Sequence, residues 1–345
     1  MTKLSAVSRQ LSVLTSRLRA HAAPALKDRT ERGLARPSGR VRWLTADGAE
    51  RDDPDVLLDG AFLRQLETLR FSAPRAATAG LAGEHASRRK AHSVEFADHR
   101  HYAPGDDFRL IDWNVYARLG ELCLKLTEAR ENLAVHVLID CSASMDWGRP
   151  NKLLYAKRVA AALGTLALAS YDTVHLSAFS DDVLAVFPPL RGRGAVSVLL
   201  THLRGLAPGA TTDLARAVAS YCGRPGRTGV ALLLTDFLVS SGHAEALGYL
   251  ARSGLHTTAL HIVDAQEERP PLDGLLELRD RETGELVKVG ITPDLLRRYD
   301  AHFRAWTGEI ESACRARRAH YVRVSTAVAP RTLVLDTLRR EGVLQ

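Results

Sequence analysis

The sequence predicts an α/β protein in which a doubly wound, mostly parallel sheet of the Rossmann type has helices on both faces. Residues 133–139 and 230–234 form short, continuous apolar runs, which are typical of strands buried on both faces of a parallel sheet. Helical patterns such as 159–169 alternate with these strands, which favours parallel pairing. The runs end near Asp140 and Asp236, at the carboxyl edge where open α/β sheets bind ligands.

The remaining elements follow from local patterns. Breaker-rich stretches at 21–60 and 72–82 predict connections, with a hairpin turn at 46–48 and a helix at 57–69. Pro150 suits the first turn of the helix that follows Asp140. The predicted order beyond it is strand 172–179, edge strand 183–187, helices 194–204 and 213–222, strand 229–235, helix 243–252, strand 255–263, hairpin 275–289, helix 292–318, strand 320–324 and helix 330–341.

Composition excludes several classes of protein. With 345 residues, 46% of them hydrophobic and 25% charged, the chain has the composition of a soluble globular protein. No apolar run approaches the roughly 18 residues that span a bilayer, and residues 1–21 lack the apolar core of a secretory signal. We therefore expect a cytoplasmic protein. Its four cysteines are far apart and form no Cys-x-x-Cys pair, which argues against a disulfide framework or a zinc cluster.

The net charge of +7 comes from the amino-terminal end of the chain. Residues 1–40 hold nine Lys or Arg and two acids, so the rest of the chain holds 38 of each sign. Apolar residues at helical spacing predict a basic amphipathic helix over 3–20. This helix either docks on its own domain, or makes peripheral contact with an anionic membrane surface or an acidic partner. Specific nucleic-acid binding is not expected, because aromatic residues do not alternate with these cations.

An unusual run of acids, arginines and aromatics occupies residues 95–118. Its Pro-Gly-Asp-Asp sequence at 104–107 predicts a turn, and the alternation of charges predicts a loop held by Arg–carboxylate pairs. We interpret the run either as a structural clamp or as a partner or switch surface beside the metal loop. The residues of that surface would be Arg100, Tyr102, Asp106, Asp107, Arg109, Asp112 and Trp113.

Oxygen-bearing side chains recur where predicted strands end. Asp140, Ser142 and Ser144 form an Asp-x-Ser-x-Ser turn, Gly-Ala-Thr-Thr-Asp follows at 209–213, and Asp236 ends a later strand. Carboxylates and hydroxyls suit a hard divalent cation such as magnesium. In isolation, the first pattern is equally typical of ordinary turns and helix caps.

Together these residues resemble the metal-ion-dependent adhesion site of von Willebrand factor A domains. The resemblance implies a von Willebrand A-like fold that binds one divalent cation, with magnesium the first choice. Ser142, Ser144 and Thr212 would supply hydroxyl ligands, while Asp140 and Asp236 would act directly or through water. Thr212 fits the family better than Thr211, which remains an alternative.

The run at 100–113 is also similar to the signature of a bacterial family catalogued as domain of unknown function 58. The similarity covers about residues 80–325. Together with the charge and spacing patterns, it leads us to expect three parts: a basic helix and linker over 1–80, a signature segment over 81–130 that packs on the main domain, and a von Willebrand A-like domain over 131–345. Members of that family are linked with MoxR-type AAA+ ATPases, so the implied partners are such an ATPase and an unidentified client protein.

Two common catalytic motifs are absent from the sequence. It contains neither the phosphate-binding Gly-x-x-x-x-Gly-Lys-Ser/Thr loop nor a Gly-x-Ser-x-Gly elbow. The enzymatic alternative is a magnesium-dependent phosphohydrolase of the haloacid dehalogenase kind, using Asp140 and Asp236. Such enzymes use a second Asp as general acid where this chain has Ser142, which cannot take that role. We therefore favour a binding module without catalytic activity.

Overall fold

The structure is a computed structural model that describes residues 57–72, 94–103, 106, 108, 111–129, 132–209, 211–224, 228–239, 241–279 and 286–345. Only the backbone is described for 94–100, 125–129 and 278–279. The helix predicted at 3–20 and the turn predicted at 46–48 lie outside these residues. Within the described part of the chain, every helix is too short or too polar to cross a membrane.

The main sheet has seven strands and confirms the predicted fold class. The strand order is β11-β8-β7-β3-β4-β5, with β6 beside β4. Neighbours from β11 to β4 are parallel, whereas β5 and β6 pair antiparallel with β4 at one edge. The strands are β3 (Ala134–Asp140), β4 (Thr173–Phe179), β5 (Val183–Val186), β6 (Leu190–Arg191), β7 (Gly229–Thr235), β8 (Leu255–Val263) and β11 (His320–Ser325).

Helices cover both faces of this sheet, as predicted. One face packs on α3 and α4 together with residues 57–71 and the carboxyl-terminal segment. The other face packs on α5, α6 and α8. The helices are α1 (Gly60–Leu66), α3 (Lys152–Ala169), α4 (Val196–Gly205), α5 (Leu214–Cys222), α6 (His243–Arg252), α7 (Ala265–Glu268) and α8 (Pro293–Ala316).

Helix α3 fills the centre of the first layer. All residues from Val159 to Ala169 are buried, which confirms the prediction of a helix that is apolar on every side. Pro150 was predicted in the first turn of this helix but lies just before it, because the helix begins at Lys152. Asn151 caps the helix, and its side chain accepts a 3.0 Å hydrogen bond from the Leu154 amide.

The carboxyl-terminal segment differs from the single helix predicted at 330–341. It consists of α9 (Pro330–Thr332), a π-helical turn (Leu333–Thr337) and α10 (Leu338–Arg340). Leu333 and Leu338 are both fully buried although they are five residues apart. A π turn, with its i→i+5 hydrogen bonds, brings such positions to nearly the same side, which the 3.6-residue period would not do.

Two antiparallel hairpins stand outside the main sheet. Strands β9 (Gly274–Arg279) and β10 (Leu286–Ile291) confirm the hairpin predicted at 275–289, whose turn lies outside the described residues. The other pairs β1 (Val94–His101) with β2 (Cys123–Ala129), and α2 (Trp113–Leu119) lies between them. The loop predicted over 95–118 was therefore wrong at its ends, because backbone pairing with 123–129 makes the first part a strand.

Candidate metal centre

The turn after β3 forms a buried network of oxygen atoms. Asp140, Ser142 and Ser144 are each 0% exposed. Asp140 Oδ1 accepts a 2.9 Å hydrogen bond from the Ser142 amide, and its Oδ2 accepts a 2.6 Å hydrogen bond from Thr235 Oγ1. The hydroxyls of Ser142 and Ser144 are 2.9 Å apart. One carboxylate and two hydroxyls thus lie within a single turn at the carboxyl edge of the central strand.

The loop before α5 is hydrogen-bonded to this turn. The Gly209 amide donates to the Cys141 carbonyl over 2.5 Å, and the Asp213 amide donates to the Ser180 carbonyl over 3.2 Å. A side chain at Gly209 would bring its Cβ within 3.1 Å of Ser180, so the absence of one permits this close approach. These two contacts bring the intervening Thr212 to the same edge of the sheet.

The Thr212 hydroxyl, close to this turn, is available to a ligand. Its Oγ1 is buried and finds no hydrogen-bond partner among the described residues. The neighbouring Thr211 is exposed. A buried hydroxyl without a hydrogen-bond partner lowers the stability of a protein by about 1–3 kcal/mol. A bound group that contacts the Thr212 hydroxyl would restore this stability.

Asp236, which follows β7, is held by a buried lysine. Lys152 is 0% exposed, and its Nζ lies 2.7 Å from Asp236 Oδ2 and 2.7 Å from Glu267 Oε1. The Leu238 amide donates to Asp236 Oδ1 over 3.0 Å. Glu267 belongs to α7, and its carbonyl accepts a 2.6 Å hydrogen bond from Tyr299 Oη. The ammonium therefore links the end of β7 to α7 and, through α7, to α8.

Asp264, at the end of β8, has a structural role. Its Oδ1 accepts from the Gln266 amide over 2.9 Å and its Oδ2 from Thr326 Oγ1 over 3.1 Å. Its own amide donates to Glu267 Oε2, which completes a capping box on α7. A Cβ at Gly148 would lie 2.5 Å from Asp264 Oδ2, so the loop after β3 passes directly over this carboxylate.

Burial sets the charge state of the turn. Burial, together with the negative charge of Asp236, raises the pKa of Asp140 to about 6, against the lowering effect of the hydrogen bonds from Thr235 and Ser142. Burial likewise raises the pKa of the Cys141 thiol to about 12, so this thiol stays protonated and unreactive near neutral pH. A cation beside Asp140 would favour its charged form.

The donor set fits a hard divalent cation. The groups are carboxylate and hydroxyl oxygens, which magnesium prefers, and the Thr212 hydroxyl lacks another partner among the described residues. A bound cation would supply positive charge and an open coordination position for an outside anion. Ser142, Ser144 and Thr212 would hold it, with the carboxylates of Asp140 and Asp236 balancing its charge.

In the signature segment, two acids stabilise local backbone. Asp106 accepts a 2.9 Å hydrogen bond from the Ala103 amide. Asp112 caps α2 by accepting from the amides of Asn114 and Val115. The Arg100 side chain, Asp107 and Arg109 lie outside the described residues, so the predicted Arg–carboxylate pairs stay a prediction.

Helix α2 of this segment presents apolar side chains to solvent. Trp113 is 60% exposed, Tyr116 45% and Leu119 70%. Trp113 and Tyr116 contact each other edge to face, with ring centroids 6.0 Å apart. Tyr102 is half-buried. Apolar side chains exposed this close together are typical of surfaces that bind another protein.

A second group of metal-ligating side chains lies on the same hairpin. Ligand atoms of His101, Glu121 and Cys123 are all within 4.8 Å of one another. The side chains of His101 and Glu121 are 79% and 59% exposed, and their closest atoms are 3.9 Å apart. Exposed pairs of this kind are common without a metal.

Sequence reasoning missed Lys152 and Glu267. The available signal was an imbalance of charge, since Asp140, Asp236 and Asp264 all end neighbouring strands and a buried group of acids needs a cation. Lys152 is a charged residue at the start of a helix whose sequence is otherwise mostly apolar. A lysine there would ordinarily extend to solvent, so its burial followed only from the three-dimensional arrangement.

A comparison with models of known protein families shows which family the chain belongs to. Residues 98–307, more than half of the chain, match the family described as "Protein of unknown function DUF58". The chain belongs to this family. The matched residues lie inside the range 80–325 that the sequence motifs indicated.

Individual relatives and solved structures share only a modest part of their sequence with this chain. Uncharacterized protein Rv1480 of Mycobacterium tuberculosis and Mb1516 of Mycobacterium bovis are each 28% identical over 235 residues, which cover 67% of this chain and 74% of the relative. The crystal structure of the conserved hypothetical protein BatB from Bacteroides thetaiotaomicron is 18% identical, with a TM-score of 0.38, and covers 61% of this chain and 98% of that one. An aerotolerance-related membrane protein from Bacteroides fragilis gives 16% identity at the same TM-score and coverage.

Proposed function

We propose that this protein is a metal-dependent protein–protein interaction module, an adaptor or co-chaperone that works with a MoxR-type AAA+ ATPase on a client protein. Its main domain would be von Willebrand A-like and would hold a divalent cation, magnesium above all, in a metal-ion-dependent adhesion site. The ligands would be Asp140, Ser142, Ser144, Thr212 and Asp236.

The observation that supports this proposal best is the Thr212 hydroxyl. It is buried, without a partner among the described residues, in a loop that is hydrogen-bonded to the Asp140 turn. The neighbouring hydroxyls of Ser142, Ser144 and Thr235 at this edge are all hydrogen-bonded within the protein, which sets the Thr212 hydroxyl apart from them. A cation that takes the Thr212 oxygen would explain why the sequence has a polar side chain there.

The partner assignment comes from the family resemblance, and the exposed face of α2 supports a protein partner. Trp113 and Tyr116 give this face aromatic surface, which is enriched in protein interfaces. We propose that the signature segment contacts the ATPase, while the cation accepts an acidic side chain of a bound protein.

A capture experiment tests the proposal. Tagged full-length protein is incubated with lysate of the source organism in magnesium or in EDTA, and bound proteins are identified by mass spectrometry. Asp140→Asn removes a carboxylate of the site, and the matched control Asp182→Asn removes an exposed one that pairs with Arg216. We expect a MoxR-type ATPase to bind wild type and the control in magnesium only.

Two results would contradict the proposal. One is capture of the same ATPase by Asp140→Asn or in EDTA, because binding would then not depend on the site. The other is magnesium-dependent turnover of p-nitrophenyl phosphate that is lost in Asp140→Asn, which would restore the phosphohydrolase alternative.

A further inference from the structure

We infer that Lys152 is the charge-compensating residue of the metal centre: its ammonium lies between Asp236 and Glu267, so, of the two carboxylates in the proposed ligand set, only Asp140 would meet a bound cation without a compensating positive charge beside it. This inference rests on the proposed function, since it assigns a role toward the same cation. It concerns a residue outside the oxygen-ligand set.

The contacts of Lys152 are to acids at this edge. Its Nζ is 2.7 Å from Asp236 Oδ2 and 2.7 Å from Glu267 Oε1. Lys152 is 0% exposed and Asp236 1% exposed, so water screens the pair little. At this depth, an ammonium next to a carboxylate cancels most of the field that the carboxylate would exert on a nearby cation.

The hydrogen bonds of Asp236 limit the ways in which its carboxylate can bind a metal ion. Both of its oxygens already accept hydrogen bonds, from Lys152 Nζ and from the Leu238 amide. Each carboxylate oxygen keeps a second lone pair, which could bind the cation directly or accept from a metal-bound water. Asp140 differs, because its donors are a neutral hydroxyl and a neutral amide.

The opposing interpretation is that Lys152 only stabilises the fold. A buried lysine between two acids contributes to packing whether or not a metal binds. The two interpretations predict opposite results when the lysine is removed. A structural lysine, once lost, would loosen the site and weaken metal binding, whereas a compensating lysine, once lost, would leave Asp236 uncompensated and strengthen it.

A double-mutant cycle on the full-length protein tests the inference, with Mn²⁺ affinity measured by isothermal titration calorimetry and folding by circular dichroism. Asp236→Asn removes one negative charge and leaves the ammonium paired with Glu267 alone, so we expect Mn²⁺ affinity to fall at least about tenfold. Lys152→Met should raise affinity at least about tenfold for the same reason. The combined variant has no net change of charge in the pair, so its affinity should return to within about threefold of wild type.

The combined variant keeps the test valid if Lys152→Met alone does not fold, because it leaves one acid, Glu267, without the ammonium, whereas Lys152→Met leaves both Glu267 and Asp236 without it. Lys288→Met, at an exposed lysine on β10, controls for the change in net charge and should leave affinity unchanged. The inference is overturned if the combined variant binds as weakly as Asp236→Asn, or if folded Lys152→Met binds no more tightly than wild type. Absence of Mn²⁺ binding by wild type would instead overturn the proposed function and this inference together.

Discussion

Thr235 Oγ1 donates a 2.6 Å hydrogen bond to Asp140 Oδ2, so the last residue of β7 orients the carboxylate at the end of the neighbouring strand β3. The same hydroxyl accepts a 3.0 Å hydrogen bond from the Phe237 amide. Both side chains are buried. The orientation of Asp140 is therefore fixed by two adjacent strands before any ligand arrives.

Removing the Thr235 hydroxyl should destabilise the protein. Thr235→Val leaves Asp140 Oδ2 and the Phe237 amide without their partner, and we expect a loss of about 1–3 kcal/mol in the free energy of unfolding. Urea denaturation at pH 7.5 measures it. Thr235→Ser keeps the hydroxyl and is the matched control. Equal stability of the two variants would show that the hydrogen bond has no net effect.

Thr212→Val should separate metal binding from stability. The Thr212 hydroxyl has no partner among the described residues, so valine should leave the unfolding free energy of the metal-free protein equal or higher. Magnesium affinity should fall about tenfold or more. Thr211→Val, at the exposed neighbour, should change neither quantity. If Thr211→Val gives the larger loss of affinity, the ligand is Thr211.

His261 should make the fold sensitive to acid. Burial lowers its pKa from 6.5 to about 3, so below pH 6.5 the unfolded chain binds a proton that the folded protein does not. Stability contributed by neutral His261 is complete above pH 6.5 and declines by up to about 1.4 kcal/mol per pH unit as the pH falls toward 3.

The measurement is urea denaturation at pH 7.5 and pH 5.0 for wild type, His261→Gln and His320→Gln. The first substitution should reduce the difference in unfolding free energy between the two pH values by about 1–2 kcal/mol. His320 is exposed, so its variant should keep the wild-type difference. A His261→Gln protein as acid-sensitive as wild type would contradict the assignment.

Gly148→Ala should reduce the stability of the protein by more than backbone strain alone would. Gly148 has a φ of 89°, and its new Cβ would lie 2.5 Å from Asp264 Oδ2. Gly192 has a φ of 77°, a ψ of 162° and open space around it, so Gly192→Ala measures backbone strain without a contact, about 1–3 kcal/mol. We expect Gly148→Ala to lose about 1–3 kcal/mol beyond that control. Thermal unfolding compares them, and equal losses would show that the loop shifts to accommodate the methyl group.

The sequence predicted the central sheet well because its strands are buried on both faces. The continuous apolar run at 230–234 leaves few alternatives, and the observed strands at 229–235 and 255–263 have the predicted bounds. The placement of Asp140 and Asp236 at one edge was predictable for a related reason, since parallel strands bring their carboxyl ends together there. Local sequence patterns were sufficient to predict these features.

Other features depend on contacts that are distant in sequence. The pairing of Lys152 with Asp236 and Glu267 joins residues 84 and 115 positions apart, and local pattern does not record it. Strand β1 was missed because its partner, β2, lies beyond an intervening helix. The π-helical turn at Leu333–Thr337 likewise reflects packing, which overrode the ordinary helical period.

The two ends of the described chain are joined to each other. The backbones of Arg70 and Gln345 exchange hydrogen bonds of 3.0 and 2.9 Å, and Phe71 forms a bridge with Leu344. Both bridging side chains belong to the same core as α3. A recombinant fragment trimmed to the family match, 98–307, would expose that core and lack β11, so it should aggregate. The smallest autonomous folding unit is therefore larger than the region shared with the family.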